Sequence, residues 1–269
     1  MWYHTIRYFA ILAWVVLSFH ACGKQDISEN AARLRIQLTD ASTPGIKELH
    51  FDISAIEVWV TDTASASGEW EPLDFKGGTY NLLSLMNGRT VQLVDQYFAA
   101  GKTVDQIKLV PGNNSHMMTV TAESIPLIIP PELADGIVIE HVNVTLSANI
   151  ITSIVLDVNV ALSVRESNGN FFLHPVARAF PETFGGKLRG YVTPVETVGV
   201  IAVVHEADTL ITIPEADGMF MFTGLTPGDW EVHLLTHPEA GYRDTVLTET
   251  ITTGQIREIV PKPIRLLPQ

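Results

Sequence analysis

The chain has 269 residues, 46% hydrophobic and 17% charged. That balance excludes a disordered tail and leaves enough apolar side chain for one or two packed cores. Its 17 Lys and Arg against 30 Asp and Glu give a net charge of −13, which argues against nucleic acid as a partner because backbone binding needs a basic face. With one cysteine, an intramolecular disulfide and a multi-cysteine metal site are both excluded.

Residues 1–21 read as an address. A short start carrying Arg7 leads into an apolar run from Tyr8 to Phe19. A membrane span needs roughly 20 apolar residues, and this run is too short for one but suits a signal-peptide core. It ends in Ser18-Phe19-His20-Ala21-Cys22. This resembles a bacterial lipoprotein signal, in which a small residue precedes the cysteine that is lipidated and becomes the mature N-terminus. Phe19 and His20 depart from the strict consensus in the manner of Bacteroidetes lipoproteins. The resemblance implies a lipid anchor on Cys22, localisation in the cell envelope, most simply the outer membrane, and a polar tether over 22–30.

From residue 31 the pattern is period two, the mark of strands with one buried face. Leu34, Ile36 and Leu38 alternate with Arg35 and Gln37, and Leu49, Phe51 and Ile53 with His50 and Asp52. Ile56, Val58 and Val60 then alternate with Glu57 and Trp59. Further strands are expected in 90–95, 104–110, 116–121, 137–146, 150–160 and 170–174, rich in Val, Ile and Thr. Short helical turns are expected within 80–86 and 91–100. Turn signals such as Ser67-Gly68, Asn87-Gly88 and Asn168-Gly169 recur between them. Together these predict an all-β chain of two antiparallel β-sandwich domains in tandem, over 31–180 and 187–265, divided near Gly185-Gly186.

In the second block Val200, Ala202 and Val204 form the expected inward set, followed by Leu210, Ile211 and Ile213. Asp217-Gly218 supplies a turn, and Phe220 and Phe222 share a face. Leu225 plugs the core between Gly224 and Gly228, and Trp230 and Val232 open the next strand. The opening Gly190-Tyr191-Val192 and the run from Gly218 to Val232 resemble the carboxypeptidase-regulatory-like domains over about 187–262. That likeness implies a prealbumin-type sandwich acting as a spacer, with no catalytic position; Trp230 stands where that family usually has Tyr.

The first block, about 31–180, resembles the domain-of-unknown-function family 4382. The residues that carry this are Leu34-Arg-Ile-Gln-Leu-Thr-Asp40-Ala41, the stretch Leu49–Val60, Trp70 to Leu73, Asn81 to Leu85, and Phe172-Leu173-His174-Pro175-Val176. Ser42 replaces the family's usual proline. The resemblance implies a β-sandwich in a lipoprotein and transfers no site residues.

Candidate chemistry is sparse. His205-Glu206-Ala207-Asp208 starts like a zinc-protease helix but has Thr209 where the second His is needed, and His233 and His237 flank strand and turn. Neither supports a metal. Asp40 suits an Asx cap on the following turn, and it is the one weak candidate for a calcium ligand. Trp59, Trp70, Tyr80 and Tyr97 invite comparison with a glycan-binding platform, and Trp59 and Trp70 are the candidate ligand-binding residues. Thr63, Thr209 and Thr245 follow Asp and precede an apolar residue, the form used for O-glycosylation of exported Bacteroidetes proteins. No catalytic residue and no cofactor is expected. The expected role is binding, adhesion or scaffolding at the membrane, with a glycan or an envelope protein as partner. A glycan-binding lipoprotein of a polysaccharide-utilisation system and a hydrolase with a dispersed site are the alternatives.

Overall fold

The computed structural model describes residues 30–41, 45–62 and 67–269. The signal segment, Cys22, most of the tether and Thr63 lie outside the described residues. In the first strand, Ala31–Ala41, the even positions Ala32, Leu34, Ile36 and Leu38 are all at 0% exposure. The strand sits inside a four-stranded sheet, between Ile151–Asn159 and Val91–Ala99, with Ala177–Pro181 at the far edge.

The facing ten-stranded sheet is organised by the 17-residue strand Ile46–Asp62. Leu49, Phe51 and Ile53 face the core, and so do Ile56, Val58 and Val60. Those two sets have opposite parity. The register slips between Ile53 and Ala55 against the strand Lys102–Pro111, so the exposed Ser54 is the extra residue of a bulge that returns the apolar set to the core. Its hydroxyl donates to the Val110 carbonyl at 3.1 Å. Between the sheets Leu34, Phe51, Ile56, Leu82, Ile107 and Leu156 form one buried cluster.

A second buried cluster contains Leu188, Ile201, Val203, Phe220, Trp230 and Val232. It lies between a sheet built on Gly186–Thr193 and a four-stranded sheet in the order Asp208–Thr212, Val198–His205, Gly228–Thr236, Thr245–Ile251. Phe220, Phe222, Leu225 and Trp230 all point into it, as the alternation predicts. The Trp230 indole N–H donates to the Thr226 carbonyl at 2.9 Å, so the ring is buried with its polar atom satisfied.

The all-β expectation holds, with four local corrections. Residues 91–99 form a strand, not a helical turn; the turn expected within 80–86 is the 3-10 turn Leu82–Leu85. The expected strand 137–146 is two short pieces, Ile137–Ile139 and Val144–Thr145, separated where His141 and Asn143 take φ of 63° and 48°. The sheets are not wholly antiparallel, because Ile151–Asn159 runs parallel to the first strand. In Val198–His205 the residues of this cluster are Val198, Ile201 and Val203; of the expected inward set, Ala202 is buried outside the cluster and Val200 and Val204 are only half-buried. That strand is apolar from Val198 to Val204 apart from Gly199, so alternation cannot choose a face, and a register shift between Val198 and Val200 sets the phase.

Candidate functional site

Three places in the molecule bring chemistry-bearing side chains together, and the first is the solvent face of the ten-stranded sheet. Trp59 alternates with buried Val58 and Val60 and so faces outward. Trp70, on the strand Gly68–Pro72, lies directly opposite it in the antiparallel register. The two rings meet edge to face, with centroids 5.5 Å apart and planes at 72°, the favoured geometry for an aromatic pair. A Cβ added at residue 68 would stand 2.4 Å from the Trp59 indole nitrogen, so glycine is what lets the indole lie across the neighbouring strand. Lys108 holds its ammonium 4.5 Å from the Trp70 ring centroid and pairs with Glu57 at 2.6 Å. Gln106 sits opposite Trp59 in the register, and Thr61 donates to Asp105 at 2.7 Å. A depression of about 320 Å³ lined by Asp62, Gly68, Glu69, Glu71 and Lys102 lies at the same edge.

The other two aromatics of the expected platform are elsewhere. Tyr80 packs on Phe75 at 6.4 Å, and burial raises the pKa of its phenol. Tyr97, 49% exposed, is on the four-stranded sheet beneath Arg33. Sequence reading missed Lys108 and assigned Gly68 to a turn. A tryptophan paired with a glycine across strands leaves no mark in the local pattern.

The second place is the joint between the two sandwiches. Asn87, 7% exposed and at φ 56°, sends its side-chain amide into the second sandwich. Its nitrogen donates to the Ile213 carbonyl at 3.1 Å and to Glu215 at 2.9 Å. Its oxygen accepts from the Thr212 hydroxyl at 3.0 Å and the Met221 backbone N–H at 3.1 Å. One amide thus makes four hydrogen bonds, its full capacity. Arg178 binds Asp157 on the adjacent strand at 2.8 Å and donates to the Thr223 and Gly224 carbonyls of the second sandwich, each at 3.1 Å. Gly224, at φ 64°, leaves room for the Phe180 ring, which a Cβ there would meet at 2.4 Å. Burial pushes the Asp157 carboxyl above the usual carboxylate range, and the Arg178 charge and hydrogen bond act against that shift.

Asp40 is 6% exposed and lines a cavity of about 20 Å³ at this joint, together with Asp157 and Arg178. The turn it was expected to cap falls largely among residues 42–44, outside the described residues. Among the described residues there is no group of three or more His, Cys, Asp or Glu placed to hold a metal ion.

The third place is a histidine pair. His50 and His116 stack with centroids 4.5 Å apart and planes 5° from parallel. His50 bonds Glu48 at 2.7 Å and His116 bonds the Asn114 carbonyl at 2.9 Å. His205 bonds the Asp229 carbonyl at 2.8 Å and His233 bonds Glu231 at 3.1 Å. Each of these rings has a carboxylate or a backbone carbonyl on one nitrogen. Thr209 is exposed on an edge strand. Thr245 is half-buried beside Asp244, whose carboxylate accepts from the Thr236 backbone N–H at 2.7 Å.

The family model for a domain of unknown function, DUF4382, matches residues 31–175. No curated protein matches the chain. Among solved structures, the chain is similar to the Bacillus anthracis TIE protein at 10% identity and TM-score 0.27, covering 93% of this chain and 42% of that one. It is similar to the shaft pilin SpaA of Lactobacillus rhamnosus GG at 9% identity and TM-score 0.25, covering 89% and 97%. The minor pilin GBS52 of Streptococcus agalactiae follows at 10% identity and TM-score 0.24, covering 87% and 96%.

Proposed function

The chain belongs to the DUF4382 family, and from that premise we propose a lipid-anchored cell-envelope protein that works by binding or scaffolding, without catalysis. The observation that supports this reading best is the joint. Asn87 and Arg178 spend their hydrogen-bonding capacity on locking one sandwich to the other. A body built this way holds its surfaces at a fixed spacing, which suits a scaffold. The second sandwich fits the spacer role implied by its likeness to carboxypeptidase-regulatory-like domains. No helix of the described residues is long and apolar enough to cross a membrane, and attachment is assigned to a diacylglycerol and an acyl chain on Cys22, more than the two signals stable anchoring requires. Cells grown with labelled fatty acid are expected to label the protein, and Cys22→Ala to abolish the label and release the protein from membranes. An unlabelled wild-type protein removes the anchor from this reading.

A second reading, glycan recognition at the Trp59–Trp70 face, is favoured by the seating of Trp59 across Gly68 with hydroxyl, amide and charged groups around it. Aromatic faces stack on sugar rings while the polar rim supplies hydrogen bonds. Trp59→Ala and Trp70→Ala are each expected to weaken binding to a glycan-array hit roughly tenfold. Gly68→Ala is expected to weaken it as well by displacing the indole. An array without hits, or affinity indifferent to both tryptophans, sinks this reading.

A further inference from the structure

The first strand begins where the tether reaches the fold. There the Asn149 backbone N–H donates to the Ala31 carbonyl at 3.0 Å, and that of Arg33 donates to the Ile150 carbonyl at 3.1 Å. Ile150 and Ile151 therefore stand beside the point of entry, and they are 54% and 49% exposed. On the other flank Ala31 pairs with Ala99, and Ala99, Ala100 and Gly101 form an exposed hairpin tip. In a chain with 30 acidic residues, the segments 96–104 and 141–156 that build these two tips contain none. Scattered single aliphatics on a surface are ordinary. Two consecutive β-branched ones, in acid-free loops at the mouth of the tether, are a patch with a direction.

The eight residues 23–30 can reach no more than about 29 Å. A lipidated Cys22 would thus hold this end of the sandwich near the bilayer surface. We propose that it is a membrane-contact surface, with Ile150 and Ile151 seated among the headgroups and upper acyl chains of the membrane that holds the lipid anchor. The inference rests on that anchor and adds an orientation to it. The surface that fits is a zwitterionic one. Lys102, the one cation of the Ala99–Lys102 tip, is bound by Glu71, so the described residues of this tip carry no free basic cluster of the kind that selects anionic lipid. Exposed Tyr97, two residues from Ala99 on the same strand, lies at the level where amphipathic rings sit at membrane interfaces. Ile46 is at the opposite end of its 17-residue strand from Asp62 and Lys102, and it pairs with Thr119. That places Val120, 73% exposed, far from the membrane.

The test uses the full lipidated chain in phosphatidylcholine–phosphatidylethanolamine vesicles. An environment-sensitive fluorophore is carried at Ala100→Cys or at Val120→Cys, the thiol of Cys22 being blocked by its lipid. The label at 100 is expected to shift to the blue and to be quenched by nitroxide lipids several-fold more than the label at 120. Adding Ile150→Asp and Ile151→Asp is expected to return it to water-like emission. A water-like label at 100 on protein that sediments with vesicles and carries acyl mass on Cys22 overturns the contact and leaves the anchor standing. Protein without acyl mass that stays in the supernatant overturns both. A blue-shifted label that ignores the two aspartates also overturns the proposal, because the aliphatics would then not be what inserts.

Discussion

Arg178→Ala is expected to lower stability at neutral pH by about 3–5 kcal/mol, the cost of leaving a buried charge without its partner. The Asp157 side chain is only 9% exposed and Arg178 is the cation bound to it. The expected pH dependence follows from the raised Asp157 pKa. The folded chain holds that proton more tightly than the unfolded chain does. Stability from this group is therefore greatest below the ordinary aspartate range and declines as pH rises through the raised folded value. Without Arg178 the folded value climbs further, so the decline grows and extends to higher pH. Urea unfolding should find the variant's deficit smallest at acid pH, where the lost bonds to the Thr223 and Gly224 carbonyls remain, and growing as pH rises toward neutral. Asp157→Asn in the Arg178→Ala background should recover most of the loss at neutral pH. A pH-independent deficit would show that the guanidinium acts through packing and its bonds to the Thr223 and Gly224 carbonyls, and not through the Asp157 charge.

Asn87→Gly is expected to uncouple the sandwiches. Glycine keeps the positive φ of residue 87 available and removes the amide, so the loss reports the four hydrogen bonds and not backbone strain. At about 0.5–1.5 kcal/mol for each bond, the coupling lost is about 2–4 kcal/mol after partial rescue by water. Calorimetry should then resolve two unfolding transitions where wild type gives one. The sandwich containing Trp230 is expected to melt first, having the smaller buried cluster. A single unchanged transition would mean that Arg178 and Phe180 suffice to hold the joint.

Much of the architecture was legible because burial imposes a period. Leu34, Ile36 and Leu38 could be assigned to a core face from their spacing, as could Phe220, Phe222, Leu225 and Trp230. The pattern failed where polar residues did not interrupt it. Val198–His205 reads as apolar on both faces, and the wrong parity followed. Residues 91–99 mix apolar and polar positions loosely enough to suggest a turn of helix, yet they pair along the edge of the first strand. Pairing to a distant partner overrides weak local preference.

The candidate sites were less legible than the strands. Asn87-Gly88 reads as a turn, and both residues do take positive φ; nothing nearby announces that the Asn87 amide spans two sandwiches. Trp59 was identifiable as outward-facing, but its meeting with Trp70 depends on the register of another strand. Lys108 reaches Trp70 from a third strand.

By itself, the amino-acid order determined the acidic balance, the cysteine behind an apolar run, the strand-rich class and most of the faces that turn inward, because each depends on residues within a few positions of one another. The tertiary structure alone decided which strands lie side by side, that two tryptophans meet over a glycine, that one amide and one guanidinium clasp the sandwiches, and that two isoleucines flank the mouth of the tether. Those outcomes depend on contacts across strands, from the neighbouring-strand pair Trp59 and Trp70 to Asn87 and Met221 in different sandwiches. Such contacts come from closing the whole chain around its cores, and no local period encodes them.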